Sequence, residues 1–145
     1  MYSRILVPLD GSSRAEKILP HVEALARKYS SAVRLLQVVE PVIEIEPADR
    51  FIPNGSEFAE AIKGAQRYLD SLVTRMAENG ISAKGWALSG NVVATICQVA
   101  EQENSNLIAI ASHGRTGAAR VFYGSVAVGL LHRVDRPILM IRSRD

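Results

Sequence analysis

An unbroken apolar run at residues 107–111 is the feature that most constrains the fold of this chain. The run contains β-branched isoleucines and no polar position, so it suits a strand that is buried on both faces. Strands of that kind occur in parallel sheets covered by helices on both sides. The run therefore predicts an α/β protein. It gives way to Ser112, His113 and Gly114, and small, flexible residues of this type allow a ligand to approach the backbone.

Four other segments have the composition of short strands, and amphipathic segments separate them. The predicted strands are residues 5–9, 33–39, 81–88 and 137–141. Between them, apolar residues recur at steps of three and four, which is the pattern of helices with one buried face. The order β-α-β-α-β-α-β-α-β predicts a doubly wound parallel sheet between two helical layers. With no internal repeat or linker, residues 1–145 are expected to form a single domain.

The helix starts carry local signals. Ser13 and Glu16 have the spacing of a capping box, and Pro20 is expected to kink the helix that follows. Asn91 is expected to open the third helix, and Ser125 the fourth. Residues 40–55 contain three prolines and are interpreted as a long loop.

Composition excludes several classes of protein. Hydrophobic residues make up 48% of the chain, which is enough to build a core, and a formal net charge of +2 does not favour nucleic acid as a partner. Cys97 is the single cysteine, so no disulfide framework or cysteine-based zinc site is expected. The chain shows no signal peptide and no apolar run long enough for a membrane, which predicts a reducing, cytoplasmic setting.

Two predicted strands end in residues suited to a nucleotide. Asp10 follows the first strand, and a carboxylate there suits ribose hydroxyls. Gly114 follows the fourth strand and is separated by nine residues from Gly124, which precedes Ser125. A glycine-bearing loop that leads into a helix start is suited to phosphate. If the two strands are neighbours, both ends line one crevice.

Each of these residues also has a structural interpretation. Asp10 can cap the first helix, and Gly114 can be an ordinary turn glycine. Ser125 can be a helix cap, a role compatible with phosphate binding. His113 is interpreted as a turn residue, because no serine or cysteine partner for catalysis is identifiable. The chain has neither a P-loop nor a Gly-x-Gly-x-x-Gly motif, and no general base is assignable, so efficient hydrolysis is not expected.

Three stretches together resemble the universal stress protein family. They are VPLDGS at residues 7–12, SHGRTG at residues 112–117 and GSVA at residues 124–127. The ATP-binding branch of that family has a glycine, two residues, a glycine, nine residues, and then glycine followed by serine or threonine. This chain follows the pattern except at the first glycine, where it has Ala111.

The resemblance implies an adenine nucleotide alpha hydrolase-like, Rossmann-like fold with strand order 3-2-1-4-5. It also implies a binding site for ATP, with or without Mg²⁺. Asp10 would face the ribose with Pro8 beside it, and Val38 would offer backbone groups to the adenine. Residues at the loop and helix start would hold phosphates: Gly114, Gly124, Ser125 and Val126, with Ala111 at the position of the first glycine.

The leading hypothesis from the resemblance is a cytoplasmic stress-response sensor or regulator that binds ATP and hydrolyses it slowly at most. One alternative is a homodimeric interaction module that binds no nucleotide, and another is a slow ATPase. Residues 137–141 would form an apolar edge strand, which predicts a homodimer paired through that edge. Regulatory protein partners stay unidentified.

Overall fold

The computed structural model describes residues 1–41, 55–113 and 124–143. A 3₁₀ turn at Ala15–Ile18 follows the first strand. The strands and helices in chain order are β1 (Arg4–Leu9), α1 (Leu19–Tyr29), β2 (Ala32–Val39), α2 (Gly55–Glu78), β3 (Ala83–Ser89), α3 (Val92–Gln102), β4 (Leu107–His113), α4 (Ser125–Arg133) and β5 (Ile138–Ser143). Most of the predicted loop at 40–55 lies outside the described residues.

The five strands form one parallel sheet in the order β3-β2-β1-β4-β5. This confirms the predicted doubly wound α/β fold and its strand order. β1 and β4 are neighbours, with Ile5 opposite Leu107 and Leu6 opposite Ile108. The carboxyl ends of the first and fourth strands therefore meet at the centre of the sheet, where ligands bind in folds of this type.

Side chains alternate between the two faces of the sheet and form two apolar clusters. We define the first core cluster as the buried residues between the sheet and α1 and α2, including Val7, Val22 and Leu69. The second core cluster lies between the sheet and α3 and α4, and includes Leu6 and Ile96. Because each helix buries one stripe against the sheet, the layers are helix, sheet, helix.

The start of the first helix differs from the prediction. Arg14 stands at the cap position of the 3₁₀ turn and its side chain makes no cap. The hydroxyl that bonds the start of the turn belongs to Ser12 rather than Ser13, since Ser12 Oγ accepts a hydrogen bond of 3.2 Å from the Ala15 N–H. Pro20 does not kink α1: it lies in the first turn of that helix. Proline has no backbone N–H, but the N–H groups of the first turn have no acceptor within the helix, so no hydrogen bond is lost.

Two boundaries near the predicted site also differ. β4 does not end at Ala111 but continues through Ser112 and His113, which pair with β5. Ser125 is the first residue of α4, with Gly124 at the cap position and no side-chain cap. The cap predicted at the third helix is correct, since Asn91 Oδ1 accepts from the Ala94 N–H at 3.0 Å. Within the described ranges, no helix combines the length and the apolar character needed to cross a membrane.

Candidate functional site

A pocket of about 140 Å³ lies where the carboxyl ends of β1 and β4 meet. Four segments contribute to it: the end of β1 with the 3₁₀ turn, the end of β4, and the amino-terminal turns of α3 and α4. Asp10 is the only ionisable residue among the described residues that line it. The lining residues are Pro8, Leu9, Asp10, Ala15, Val92, Ile96, Ile110, Ala111, Ser112, Gly124, Ser125, Val126 and Ala127.

The turn after β1 holds the carboxylate of Asp10 in place. Asp10 Oδ1 accepts a hydrogen bond of 2.9 Å from the Ser12 N–H and a second one from the Ser12 hydroxyl. Gly11 between them has φ +83°, a left-handed conformation that glycine adopts without steric cost. Asp10 is therefore a structural residue of the turn as well as a lining residue of the pocket.

Tyr68 of α2 packs against the first core cluster, and its hydroxyl oxygen is buried, whereas Glu16 is half-buried and Asp10 is exposed. Burial raises the pKa of the Tyr68 phenol well above its usual value of 10, and the nearby negative charges of Glu16 and Asp10 raise it further. The positive charge of Arg75 lowers the pKa of Tyr68, but by less than these effects raise it. Tyr68 therefore stays protonated and neutral across the physiological range.

The end of β4 supplies an extended backbone to the pocket. Ala111 pairs with Ile141, and its methyl group packs against the first core cluster. Its φ is not positive, because within the described residues only Tyr2, Ser30 and Asn104 among the non-glycine residues have positive φ. Alanine is compatible with this extended conformation.

Ser112, the next residue, is buried, and its Oγ lies 3.4 Å from the Ile141 carbonyl oxygen. At that distance the hydrogen bond is weak. The Ser112 hydroxyl is therefore held only loosely at the wall of the pocket that it lines.

The start of α4 presents backbone N–H groups to the pocket. Gly124 occupies the cap position, and its carbonyl accepts from the Val128 N–H at 3.1 Å. The N–H groups of the first turn have no acceptor within the helix, and the helix dipole gives this end a partial positive charge. The first turn contains no acidic residue. This end of the pocket is thus suited to an anion.

The opposite wall is apolar. Val92 and Ile96 on α3 and Ile110 on β4 line it, and Ile96 is fully buried. Apolar walls with a few placed polar groups are typical of small-molecule sites. The pocket can therefore contact an apolar, planar group on one side and an anionic group at the α4 end.

Most residues predicted for the site from the sequence line this one pocket: Pro8, Asp10, Ala111, Gly124, Ser125 and Val126. Val38 does not line it. It lies on β2 opposite Leu88, half-buried against the second core cluster. The predicted phosphate residue Gly114 lies outside the described residues, as do the side chain of His113 and the whole of Gly117.

Sequence reasoning missed the contribution of α3. Ile96 has the pattern of a core residue, yet Val92 and Ile96 form a wall of the pocket. The available signal was position: these residues lie four apart in the first turns after the Asn91 cap, at the same edge of the sheet as the other site residues. No group of three His, Cys, Asp or Glu side chains within the described ranges could hold a metal ion.

Comparison with known proteins agrees with this architecture. The profile of the universal stress protein family matches residues 1–142. Universal stress protein MJ0577 of Methanocaldococcus jannaschii is 26% identical over 159 residues, an alignment that covers 100% of this chain and 98% of that protein. The solved structure of MJ0577 superposes with a TM-score of 0.83 at 25% identity, and the match covers 100% of this chain and 99% of that one.

Two further solved structures share the fold at lower identity and were determined with a nucleotide. A universal stress protein in complex with cAMP has a TM-score of 0.68 at 15% identity, with 99% of this chain and 98% of that chain covered. The universal stress protein from Archaeoglobus fulgidus in complex with dAMP has a TM-score of 0.64 at 19% identity, with 96% and 97% covered. The match of the family profile to nearly the whole sequence is decisive: this chain belongs to the universal stress protein family.

Proposed function

We propose that this protein binds an adenine nucleotide, ATP, in the pocket between β1, β4 and the start of α4, and that it acts as a cytoplasmic stress-response sensor or regulator. The observation that carries the proposal is the composition of that pocket. An apolar wall, a carboxylate fixed by its turn and an exposed helix amino terminus converge in one cavity. Those are the three environments that a base, a ribose and a phosphate group require.

The nucleotide-bound relatives support an adenine nucleotide as the ligand class, since one was solved with cAMP and one with dAMP. Under the proposal, the phosphates lie against Gly124, Ser125 and Val126, and the ribose lies towards Asp10. Gly114 completes the phosphate loop, and the backbone of Val38 contacts the adenine. Mg²⁺ would arrive bound to the phosphates, as it does in many nucleotide sites, rather than in a protein cage.

Ala111 does not argue against this ligand. The methyl group packs towards the first core cluster, and the strand is extended at this residue. Ala111→Gly is therefore expected to change the affinity for ATP by less than about tenfold, or 1.4 kcal/mol.

Hydrolysis is proposed to be slow at most. Among the described lining residues, Asp10 is the one side chain that could act as a general base, and its Oδ1 already accepts two hydrogen bonds from Ser12. A general base must be positioned on the attacking water, whereas the contacts of Oδ1 position Asp10 on its own turn. Turnover should therefore lie far below the range of about 1–10³ s⁻¹ that dedicated enzymes reach.

We further propose that the protein is a homodimer paired through β5. Residues 138–141 of this edge strand are apolar and half-exposed. Val128 and Leu131 on α4 are exposed as well, and Leu131 retains 54% of its accessible surface. Covering such an edge with its own copy across a two-fold axis removes both exposed edges in one contact. A dimeric module without nucleotide is the alternative if the pocket proves empty in solution.

Isothermal titration calorimetry with ATP tests the nucleotide proposal. Ser125→Asp places a carboxylate at the start of α4, where it favours the helix but repels phosphate. The affinity should fall by at least about tenfold, because like charges at close range are costly. Ser125→Ala should have a smaller effect, and Gln98→Glu on the exposed side of α3 controls for net charge.

Equal ATP affinity in Ser125→Asp and the native protein would remove the start of α4 from the site. No binding by the native protein, with no nucleotide released from it by acid, would favour the interaction module. Circular dichroism of each variant establishes that the fold is retained.

A further inference from the structure

At the outer edge of β3, the side chain of Gln66 on α2 binds two backbone groups of the strand. Its Nε2 donates a hydrogen bond of 3.0 Å to the Gly85 carbonyl oxygen, and its Oε1 accepts one of 2.9 Å from the Ala87 N–H. Nε2 also donates to Asp70 Oδ1, one helical turn along, at 2.9 Å. The carboxamide thereby uses both of its N–H groups and its oxygen, which fixes its orientation.

The two backbone groups that Gln66 binds are those that another strand would bind. The Val33 N–H donates to the Ser82 carbonyl, and the Gly90 N–H donates to the Val39 carbonyl. The backbone N–H and carbonyl groups of the even-numbered residues of β3 therefore point towards β2. Gly85 and Ala87 therefore direct their backbone groups away from the sheet. In a parallel ladder, the next strand would give one N–H to the first and one carbonyl to the second. The Gln66 carboxamide supplies both groups, an N–H to the Gly85 carbonyl and an oxygen to the Ala87 N–H.

A glycine allows the side chain to reach this edge. A Cβ at Gly85 would lie 3.0 Å from Leu69 Cβ and 3.4 Å from Val73 Cγ2, so α2 packs almost directly on the β3 backbone. Leu69 is one turn from Gln66 on the same helix. The close approach at Gly85 thus holds Gln66 beside the two groups that it binds.

We propose that Gln66 substitutes for a sixth strand and keeps a second copy of this chain from adding its β5 to the β3 edge. The β5 edge is the natural occupant, because Ile138 and Met140, whose backbone groups point outward, are apolar and the strand belongs to every copy. Pairing of β5 with β3 is a head-to-tail contact, which leaves a free edge at each end and so extends into chains. The carboxamide blocks that contact and leaves β5 available only for symmetric pairing.

Hydrogen exchange at single amides tests the first step. In Gln66→Ala, the Ala87 N–H loses its acceptor and should exchange about tenfold faster or more, which is the order of effect of one hydrogen bond. The amides of Trp86 and Leu88 face β2 and should keep their protection. Gln98→Ala removes an exposed glutamine from α3 and should leave the exchange rates of all three amides unchanged.

Sedimentation velocity tests the second step. Gln66→Ala should form species larger than those of the native protein, in amounts that rise with concentration. Adding Met140→Pro, which disables β5 as the added strand, should abolish them. Gln66→Glu can accept from Ala87 but cannot donate to Gly85, so it serves as a second variant should Gln66→Ala fail to fold.

An Ala87 exchange rate in Gln66→Ala equal to the native rate, or a size distribution in both Gln66 variants equal to that of the native protein, would overturn the proposal. Either result is independent of nucleotide binding. The comparison also holds whether the native protein is a dimer or a monomer, because each variant is measured against it.

Discussion

The two edges of the sheet differ in whether side chains bind their outward backbone groups. At β3, a helix packs against the strand at Gly85, and Gln66 binds the outward backbone groups of the strand. At β5, the Ile108 N–H donates to the Pro137 carbonyl, so odd-numbered residues face β4 and Ile138 and Met140 face outward. No described side chain hydrogen-bonds to those outward groups.

The contrast extends to the helices beside each edge. α2 covers β3 from one side and supplies the polar group that closes the edge. α4 shares the second core cluster with β5 but leaves Val128 and Leu131 exposed. An unprotected apolar edge invites strand pairing, whereas a closed one prevents it. The difference supports the proposal that a second copy of the chain pairs with β5 rather than with β3.

Among substitutions at the two edges, Met140→Pro should produce the largest effect. The Met140 N–H faces outward, so proline removes a group needed for pairing with a second copy and leaves the ladder to β4 intact. The dimer should weaken by at least about 100-fold, since both its backbone bonds and its packing are lost. Light scattering should then report the 15.8 kDa chain in place of about twice that mass.

Leu139→Pro is the matched control, because the N–H of that residue faces β4. It should lower the stability of the fold itself, which Met140→Pro should not. A native protein that is monomeric at high micromolar concentration would contradict the assignment of β5 as the open edge.

Gly85→Ala should have the next largest effect and tests how the β3 edge is closed. The added methyl group would lie 3.0 Å from Leu69 Cβ and would force α2 away from the strand. The free energy of unfolding should fall by about 1–3 kcal/mol, the usual cost of overpacking. Ala87 should also exchange faster, since Gln66 moves with the helix.

Gly64→Ala is the counterpart on the same helix. The nearest atom to an added Cβ there is Arg67 Nη2 at 3.9 Å, so the methyl group meets no obstacle. Replacing glycine within a helix should raise the free energy of unfolding by about 0.5–1 kcal/mol. Urea denaturation of Gly85→Ala and Gly64→Ala measures the free energy of unfolding, which should fall in the first variant and rise in the second. Equal effects would mean that the contact at Gly85 does not limit how closely α2 packs.

The sequence predicted the fold well because its strongest patterns are local. Apolar runs such as residues 107–111 and helical stripes reveal strands and helices without knowledge of their neighbours. The strand order came from the family resemblance rather than from periodicity. Helix starts were less certain: the capping-box spacing of Ser13 and Glu16 pointed to Ser13, but it is the Ser12 hydroxyl that accepts from the Ala15 N–H.

The features that sequence reasoning missed depend on contacts between distant segments. In the sequence, Gly85 indicates only a weakness of the third strand, whereas in the structure it allows the approach of α2. Gln66 lies 19 and 21 residues from its two partners on β3, and no local pattern marks it. The wall of the pocket on α3 was missed for the same reason, because Ile96 has the pattern of an ordinary core residue.

The smallest effect is expected from Asp70→Ala, which leaves Gln66 in place but removes the carboxylate that orients it. Asp70 Oδ1 accepts one N–H of the carboxamide, and an exposed side-chain pair of this spacing contributes about 0.2–0.5 kcal/mol to a helix. The Gly85 and Ala87 bonds can still form, so Ala87 should exchange only about twofold faster, as a change of that size implies. Thr74→Ala, which removes a hydroxyl that bonds the Asp70 carbonyl rather than its carboxylate, should leave Ala87 unaffected. An exchange rate of Ala87 that rises as much in Asp70→Ala as in Gln66→Ala would instead mean that the Gln66 carboxamide binds β3 only when the Asp70 carboxylate orients it.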